Sequence, residues 1–209
     1  MSNKLTLYYS QGACALGPQI ALREAGLDFD LVRVNLKEHK LHESGEDYYK
    51  IAPKGAVPAL RLPNGEVLTE GPAIMQWIAD QAPTKKLAPA NGTLERSRLQ
   101  EHLNYITSEL HKGTGMLFNQ DMPADFRKFW KERVTKKYAY IDEVLAQKPY
   151  LMGKEFTVAD GYLYNVTRWT NYDSIKLETG HLKNLQGFMQ RMAERPAVQA
   201  ALKAEGIAA

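Results

Sequence analysis

Leu5-Thr6-Leu7-Tyr8-Tyr9-Ser10-Gln11-Gly12-Ala13-Cys14 decides how this chain begins to fold. Its first five residues form a compact β-prone run, and Ser10-Gln11-Gly12 halts it. Beyond it Ile20, Leu22 and Ala25 recur at helical spacing, and Gly26 supplies a C-terminal stop. Phe29, Leu31, Val32 and Val34 then read as a second strand. A strand, a helix and a strand in that order demand a parallel pair joined by a right-handed crossover.

Residues 37–50 are charged and weakly patterned, which predicts a loop with a short helix near 46–51. Val57-Pro58-Ala59-Leu60-Arg61-Leu62 resumes as strand, Pro63-Asn64-Gly65 makes a tight turn, and Glu66-Val67-Leu68 returns antiparallel. Ile74, Met75, Ile78 and Ala79 give a helix over 71–82, ended before Pro83. Four strands and about three helices in this order suit a thioredoxin-like α/β domain. Pro83, Pro89, Asn91 and Gly92 mark residues 83–93 as a linker, so the expected division is 1–82, linker, and an all-α helical bundle domain over 94–209. In that second part Leu99, Leu103, Ile106 and Leu110 form one stripe of a long helix. Phe126, Phe129, Trp130, Val134, Tyr138, Ile141 and Leu145 form another. Residues 158–170 are apolar nearly all round, as befits a central helix; Leu185, Phe188, Met189 and Met192 mark a further one, and 198–204 a short terminal one.

Hydrophobic residues make up 44% and charged residues 24% of the chain, a globular balance that excludes disorder, collagen-like sequence and a long coiled coil. A net charge of +3 is too slight to point to nucleic acid or a membrane surface as partner. No apolar run approaches the roughly 18 residues of a membrane span. The start, Met1-Ser2-Asn3-Lys4, lacks the marks of a signal peptide, so a cytoplasmic location is expected.

The single cysteine, Cys14, cannot make an intramolecular disulfide. It is either a small core filler or a thiol activated at the start of the first helix, where unpaired N–H groups favour a thiolate. Three residues on stands Gly17, so a dithiol cycle within one chain is excluded. Val57-Pro58 is either an ordinary trans bond or a cis bond that offers the Val57 backbone to a peptide-like ligand; base rates favour trans. Thr69 can cap the helix that Pro72 enters, or Glu70 and the free N–H groups there clamp an amino-acid moiety. Asn104, Ser108 and His111, followed by Lys112, line one helix side, read either as a solvated face or as an exposed wet cleft. Gly113-Thr114-Gly115 should weaken that helix. Thr157-Val158-Ala159-Asp160 is a capping-box-like folding signal, without the hydrophobic staple because Gly161 stands where Phe156 would need an apolar partner. His39, His42, His102 and His181 show no metal-ligand spacing with Cys14, and no metal is expected. Neither a Walker-type phosphate loop nor a dinucleotide fingerprint is present.

Together these pieces resemble the bacterial beta-class cytosolic glutathione transferases over essentially the whole chain. The resemblance runs through the Leu7–Cys14 stretch, Ile20-Ala21-Leu22-Arg23-Glu24-Ala25-Gly26-Leu27, Pro53-Lys54-Gly55-Ala56-Val57-Pro58-Ala59-Leu60 and Leu68-Thr69-Glu70-Gly71-Pro72-Ala73-Ile74. It continues through Leu103-Asn104-Tyr105-Ile106 with Ser108-Glu109-Leu110-His111-Lys112, Phe156-Thr157-Val158-Ala159-Asp160, and Phe188-Met189-Gln190-Arg191-Met192-Ala193-Glu194-Arg195-Pro196. It implies a cis Pro58, Val57 backbone groups on the cysteinyl part of glutathione, Glu70 and Gly71 at the γ-glutamyl end, and Cys14 beside the sulfur. It also implies that Asn104, Ser108, His111 and Lys112 face the ligand, and that the protein is a cytoplasmic homodimer in which some contacts cross between subunits. The chain departs from the family pattern at Ala15, where relatives often carry Ser, and at Gly71, where many other classes carry Ser. Where a Lys commonly meets the glycyl carboxylate, it offers Lys37, His39 and Lys40.

The implied function is a detoxifying transferase that uses glutathione, with Cys14 and His111 as catalytic residues, on a small hydrophobic electrophile or a mixed disulfide. The alternative is a non-catalytic binder of glutathione or hydrophobic ligands on the same scaffold. A role on nucleic acid is disfavoured by charge. The acceptor pocket is expected around Tyr9, Met116, Leu117, Phe118 and Trp169.

Overall fold

In the computed structural model, which describes residues 4–207, the opening βαβ unit forms as its apolar pattern requires. Strand β1 (Leu5–Tyr9) pairs in parallel with β2 (Phe29–Asn35), Leu7 opposite Leu31, and helix α1 (Leu16–Ala25) lies between them in sequence. Gly26 ends α1 with a φ of 69°, the left-handed conformation that lets its N–H turn back to the Arg23 carbonyl. Strand β4 (Ala59–Arg61) runs antiparallel to β1 and β5 (Val67–Thr69) antiparallel to β4, joined through the Asn64-Gly65 turn. Helix α2 (Gly71–Gln81) follows.

The loop expected over 37–50 holds one more strand. The two-residue β3 (Lys40–Leu41) pairs antiparallel with β2 and extends the sheet to the order β3-β2-β1-β4-β5. So short a run, set among charges, leaves no alternation to read. The short helix is there as a 3₁₀ turn, Tyr48–Lys50, capped by the Asp47 side chain. Alternation along β1 sends Tyr8 and Leu7 to opposite faces. Tyr8 joins Val34, Tyr48, Ile51, Ala52, Val57 and Ala59 in one core. Leu7 is fully closed from solvent, as are Leu16, Ile20, Ile74, Met75 and Ile78 on α1 and α2, which pack on each other.

The chain divides into two compact units, with breaks after Ala88 and at Arg195; the second unit is Pro89–Glu194. Helix α8 (Pro196–Glu205) accordingly belongs to the first unit. This differs from the expected grouping of 94–209 as one helical domain. The buried face of α8, Val198, Ala201 and Leu202, is covered by α1, and Arg195 Nε meets Glu24 Oε1 at 2.8 Å. A helical stripe says that a face is covered, not by what.

The second unit is helical throughout: α3 (Leu94–Tyr105), a π-helical stretch (Ile106–His111), α4 (Lys112–Met116), α5 (Ala124–Leu145), α6 (Val158–Arg168) and α7 (Lys183–Ala193). Leu99, Leu103, Ile106 and Leu110 are all buried. The Lys112 N–H reaches back to the Thr107 carbonyl, so the expected long helix is under-wound in its middle rather than broken at the glycines. Gly113 serves close packing: a Cβ there would lie 3.1 Å from Val134 Cγ2, and Trp130 Nε1 donates to the Gly113 carbonyl at 2.8 Å. On α5 the stripe is buried from Val134 onward, but Phe126 and Phe129 are 42% and 54% exposed, against the sequence expectation.

Helix α6 is buried from Val158 to Thr167, so its entry must satisfy its first N–H groups internally. Asp160 does this as the return half of a capping box. It accepts from Thr157 N at 2.7 Å, Thr157 Oγ1 at 2.9 Å and Leu151 N at 2.8 Å, while itself fully buried. Replacing Asp160 by Ala leaves three buried donors without that acceptor. The expected loss is about 3 kcal/mol, measured as a lower urea midpoint with an unchanged slope.

Candidate functional site

On the first unit, three successive backbone carbonyls in the loop before β4 each accept a hydrogen bond from a different side chain. His39 Nδ1 meets the Gly55 carbonyl at 3.1 Å, the Tyr48 hydroxyl donates to Ala56 O at 3.0 Å, and Cys14 Sγ donates to Val57 O at 3.1 Å. A carbonyl only accepts, so His39 carries its proton on Nδ1 here. The His39 ring stacks on Tyr49 with centroids 4.5 Å apart. Gly55, at a φ of 63°, is the residue that fits between them: a Cβ would fall 2.6 Å from Tyr49 and 2.9 Å from His39. Burial pushes the Tyr48 phenol up, which keeps it the neutral donor. The Val57–Pro58 bond is cis, as the resemblance implies.

Cys14 sits further from the helix than expected. Helix α1 starts at Leu16 with Ala15 as its cap residue, so Cys14 lies in the preceding turn, half-buried, and donates to a carbonyl. Glu70 caps α2 in place of Thr69, yet makes no side-chain capping bond; Thr69 Oγ1 accepts from Lys54 Nζ at 3.3 Å. Glu70 holds a φ of 68°, a region that L residues occupy at a cost of about 1–3 kcal/mol. Its carboxylate pairs with Lys54 Nζ at 2.6 Å, with both side chains largely exposed. Gly71 opens α2 behind it. Of the three candidates for a glycyl carboxylate, His39 has one ring nitrogen committed to Gly55. Lys37 and Lys40 are exposed, and the Lys37 ammonium meets no partner among the described residues.

On the second unit, Asn104, Ser108 and Lys112 are exposed along one side of the α3–α4 stretch. His111 does not share that exposure. Its Nδ1 lies 2.6 Å from the Tyr162 hydroxyl, and its ring packs edge-on against Tyr162 and Trp169. Burial, then the Lys112 charge, pushes it down to about 4, so the imidazole is neutral at pH 7. The reading of His111 as an exposed cleft residue is corrected here: it is an anchored, uncharged group. Phe118 and Met116 are partly exposed; Leu117 and Trp169 are buried, with Phe118 edge-on to Trp169. Arg127 holds this segment by donating to the carbonyls of Leu117, Asn119 and Ser174.

The sequence reading missed Tyr48, Lys54 and Tyr162. Lys54 and Glu70 are 16 residues apart and His111 and Tyr162 are 51 apart, with no local spacing to join them. Among the described residues, no group of three or more His, Cys, Asp and Glu is placed to hold a metal, and no helix is long and apolar enough to cross a membrane.

A thioredoxin-like unit whose thiol touches the loop before β4 is followed by a helical unit. Family models for the glutathione S-transferase N-terminal domain match residues 12–81, and those for its C-terminal domain residues 108–205. The chain is 45% identical to glutathione S-transferase GstA of Escherichia coli O157:H7, over 97% of this chain and 100% of that one. Among solved structures it is similar to a ternary complex of BphK, a bacterial GST (TM-score 0.93, 46% identity, 97% and 100% coverage). It is also similar to a sphingomonad glutathione S-transferase complexed with glutathione (TM-score 0.91, 44% identity, 97% and 100% coverage). The chain belongs to the glutathione S-transferase family.

Two outcomes follow from the geometry. Because the folded pKa of His111 lies below the ordinary value near 6.5, folding favours its neutral form. That stability is present above pH 6.5 and drains as pH falls toward 4, on the order of 2 kcal/mol after discounting for partial exposure. The His111 imidazole should titrate near 4 by NMR, and His111→Gln should flatten the acid limb of the urea midpoint. Glu70→Gly should relieve the strained backbone and keep or raise stability by about 1 kcal/mol, read as the urea midpoint.

Proposed function

We propose that this transferase binds glutathione along the loop before β4 and passes it through Cys14. The observation that carries this reading is the 3.1 Å contact between the chain's sole thiol and the Val57 carbonyl. It puts the thiol beside the backbone group assigned to the cysteinyl part of glutathione. Glu70 and Gly71 take the γ-glutamyl end, where the ligand's ammonium competes with Lys54 for an exposed carboxylate. Lys37 takes the glycyl carboxylate, and His39 shapes the loop. On the helical unit, His111 is a neutral hydrogen-bonding group.

In the thiol-transfer step the Cys14 thiolate attacks the glutathionyl sulfur of a mixed disulfide. A Cys14–glutathione disulfide forms, and the acceptor leaves as a free thiol. A second glutathione thiolate then attacks the glutathionyl sulfur, releasing oxidised glutathione and restoring Cys14. Conjugation to a hydrophobic electrophile uses the same ligand seat, with the glutathione thiolate displacing the leaving group. The working form is a cytoplasmic homodimer with a detoxifying role.

Oxidised glutathione should leave a single stable glutathionyl adduct by intact-protein mass spectrometry, because the position of a resolving cysteine is Gly17. Cys14→Ala should abolish the adduct and turnover of mixed disulfides while retaining binding to immobilised glutathione. A native protein that resists alkylation and takes up no glutathione defeats the thiol-transfer reading. Turnover of an aryl halide in Cys14→Ala would assign conjugation to the glutathione thiolate alone; binding without turnover of either substrate would leave the non-catalytic binder.

A further inference from the structure

The turn that delivers Cys14 is fastened from the far end of the chain. The Ala13 N–H donates to Ser10 O at 3.0 Å, and Gly12 adopts a φ of 72°, so the backbone folds back just before the cysteine. The Gly12 N–H is then accepted at 2.8 Å by Glu205 Oε2, a carboxylate oxygen on the last residue of α8, 193 positions away. Glu205 is only 4% exposed. Ionised groups are rarely taken out of water to that extent without a strong partner. Beside it, Gln11 Nε2 donates to the Gly206 carbonyl at 3.4 Å, and Gln11 Oε1 accepts from Arg33 at 3.0 Å. Every one of these groups belongs to the first unit. The turn is thus held on one side by the end of α8 and, through the Cys14–Val57 contact, on the other by the loop before β4.

We propose that Glu205 is a positioning residue for Cys14. Its hydrogen bond to Gly12 holds the 10–13 turn so that the thiol rests on the Val57 carbonyl. The inference deepens the reading of Cys14 as the working thiol and rests on it. Removing the acceptor frees the turn, lifts the sulfur off Val57 more often, and makes the thiol easier to reach.

The test is alkylation of Cys14, unambiguous in a chain with one cysteine, by iodoacetamide across a pH series on the full-length protein well below its unfolding temperature. Glu205→Ala should react about tenfold faster than the parent, the scale of a lost hydrogen bond to a charged group. Glu205→Asp, which keeps the charge but draws the oxygen back by one methylene, should also react faster. Glu205→Gln, whose amide oxygen can accept the same bond, should stay within about twofold of the parent. Should Glu205→Ala fail to fold, the Asp and Gln variants decide between themselves. Parental or slower rates in Ala and Asp, even with a lower Tm, would show a purely structural clamp and overturn the proposal. A Gln variant as fast as Ala overturns it too, because the charge rather than the bond would then matter. Glutathione uptake by the parent reports on the proposed function separately: no adduct, with the Glu205 series behaving as stated, sinks the thiol-transfer reading and leaves the positioning intact.

Discussion

Three consecutive carbonyls, Gly55, Ala56 and Val57, each accept a side-chain donor, and the course of the loop before β4 depends on that ladder. A loop without regular structure exposes its own backbone groups, and those groups need partners when half-buried. Here the partners come from three separate elements: the β2–β3 turn through His39, the 3₁₀ turn through Tyr48, and the β1–α1 turn through Cys14. Each bond is worth only about 1 kcal/mol net, but three in succession fix the direction of every peptide plane ahead of Pro58. Gly55 is the point where this packing is tightest, since both its φ and its neighbours exclude a side chain.

Charge contributes little to holding this face and more to shaping it. The Lys54–Glu70 pair is short but solvent-exposed on both sides, so it adds a few tenths of a kcal/mol at most. Its importance lies in keeping an acidic group at the start of α2 on a backbone that an L residue enters with strain. The buried groups behave in the opposite way. Asp160 and Glu205 are withdrawn from water and accept backbone N–H groups, so their loss exposes a desolvation cost as well as a missing bond. Asp160 closes a local stretch, within nine positions of itself, whereas Glu205 ties together parts of the chain 193 positions apart.

The sheet was legible because its strands announce themselves locally: β-prone apolar runs in β1 and β2, and Asn64-Gly65 between β4 and β5. Strand β3 was not, since two residues carry no period. The helices were legible as stripes, but a stripe cannot tell α1 from α6 as the surface that covers it, so the packing of α8 with the first unit was not legible. Cys14, Val57 and Glu70 stood out by residue type and by their place at turns and helix starts. The partners that define their chemistry did not, because Cys14 and Val57 are 43 residues apart and Gly12 and Glu205 are 193 apart. His111 shows the limit most plainly. Its spacing with Asn104 and Ser108 suggested one polar face, but the π-helical turn beneath it and the Tyr162 hydroxyl opposite place it in a different environment.

The contact between Cys14 and Val57 sets a condition on the chemistry. As a thiol, Cys14 donates to the carbonyl; as a thiolate it has no proton to give and would lie 3.1 Å from an oxygen carrying partial negative charge. The two roles cannot be held in one geometry. Under the proposed function, a cysteinyl N–H arriving at Val57 replaces the thiol as donor, satisfies the carbonyl and leaves the sulfur free to ionise. Ligand seating and thiol activation are then one exchange of donors on a single oxygen, which needs no charged histidine. The turn carrying Cys14 must accordingly be firm enough to present the sulfur and loose enough to release it, and the hydrogen bond from Gly12 to the end of α8 lies where that balance is set.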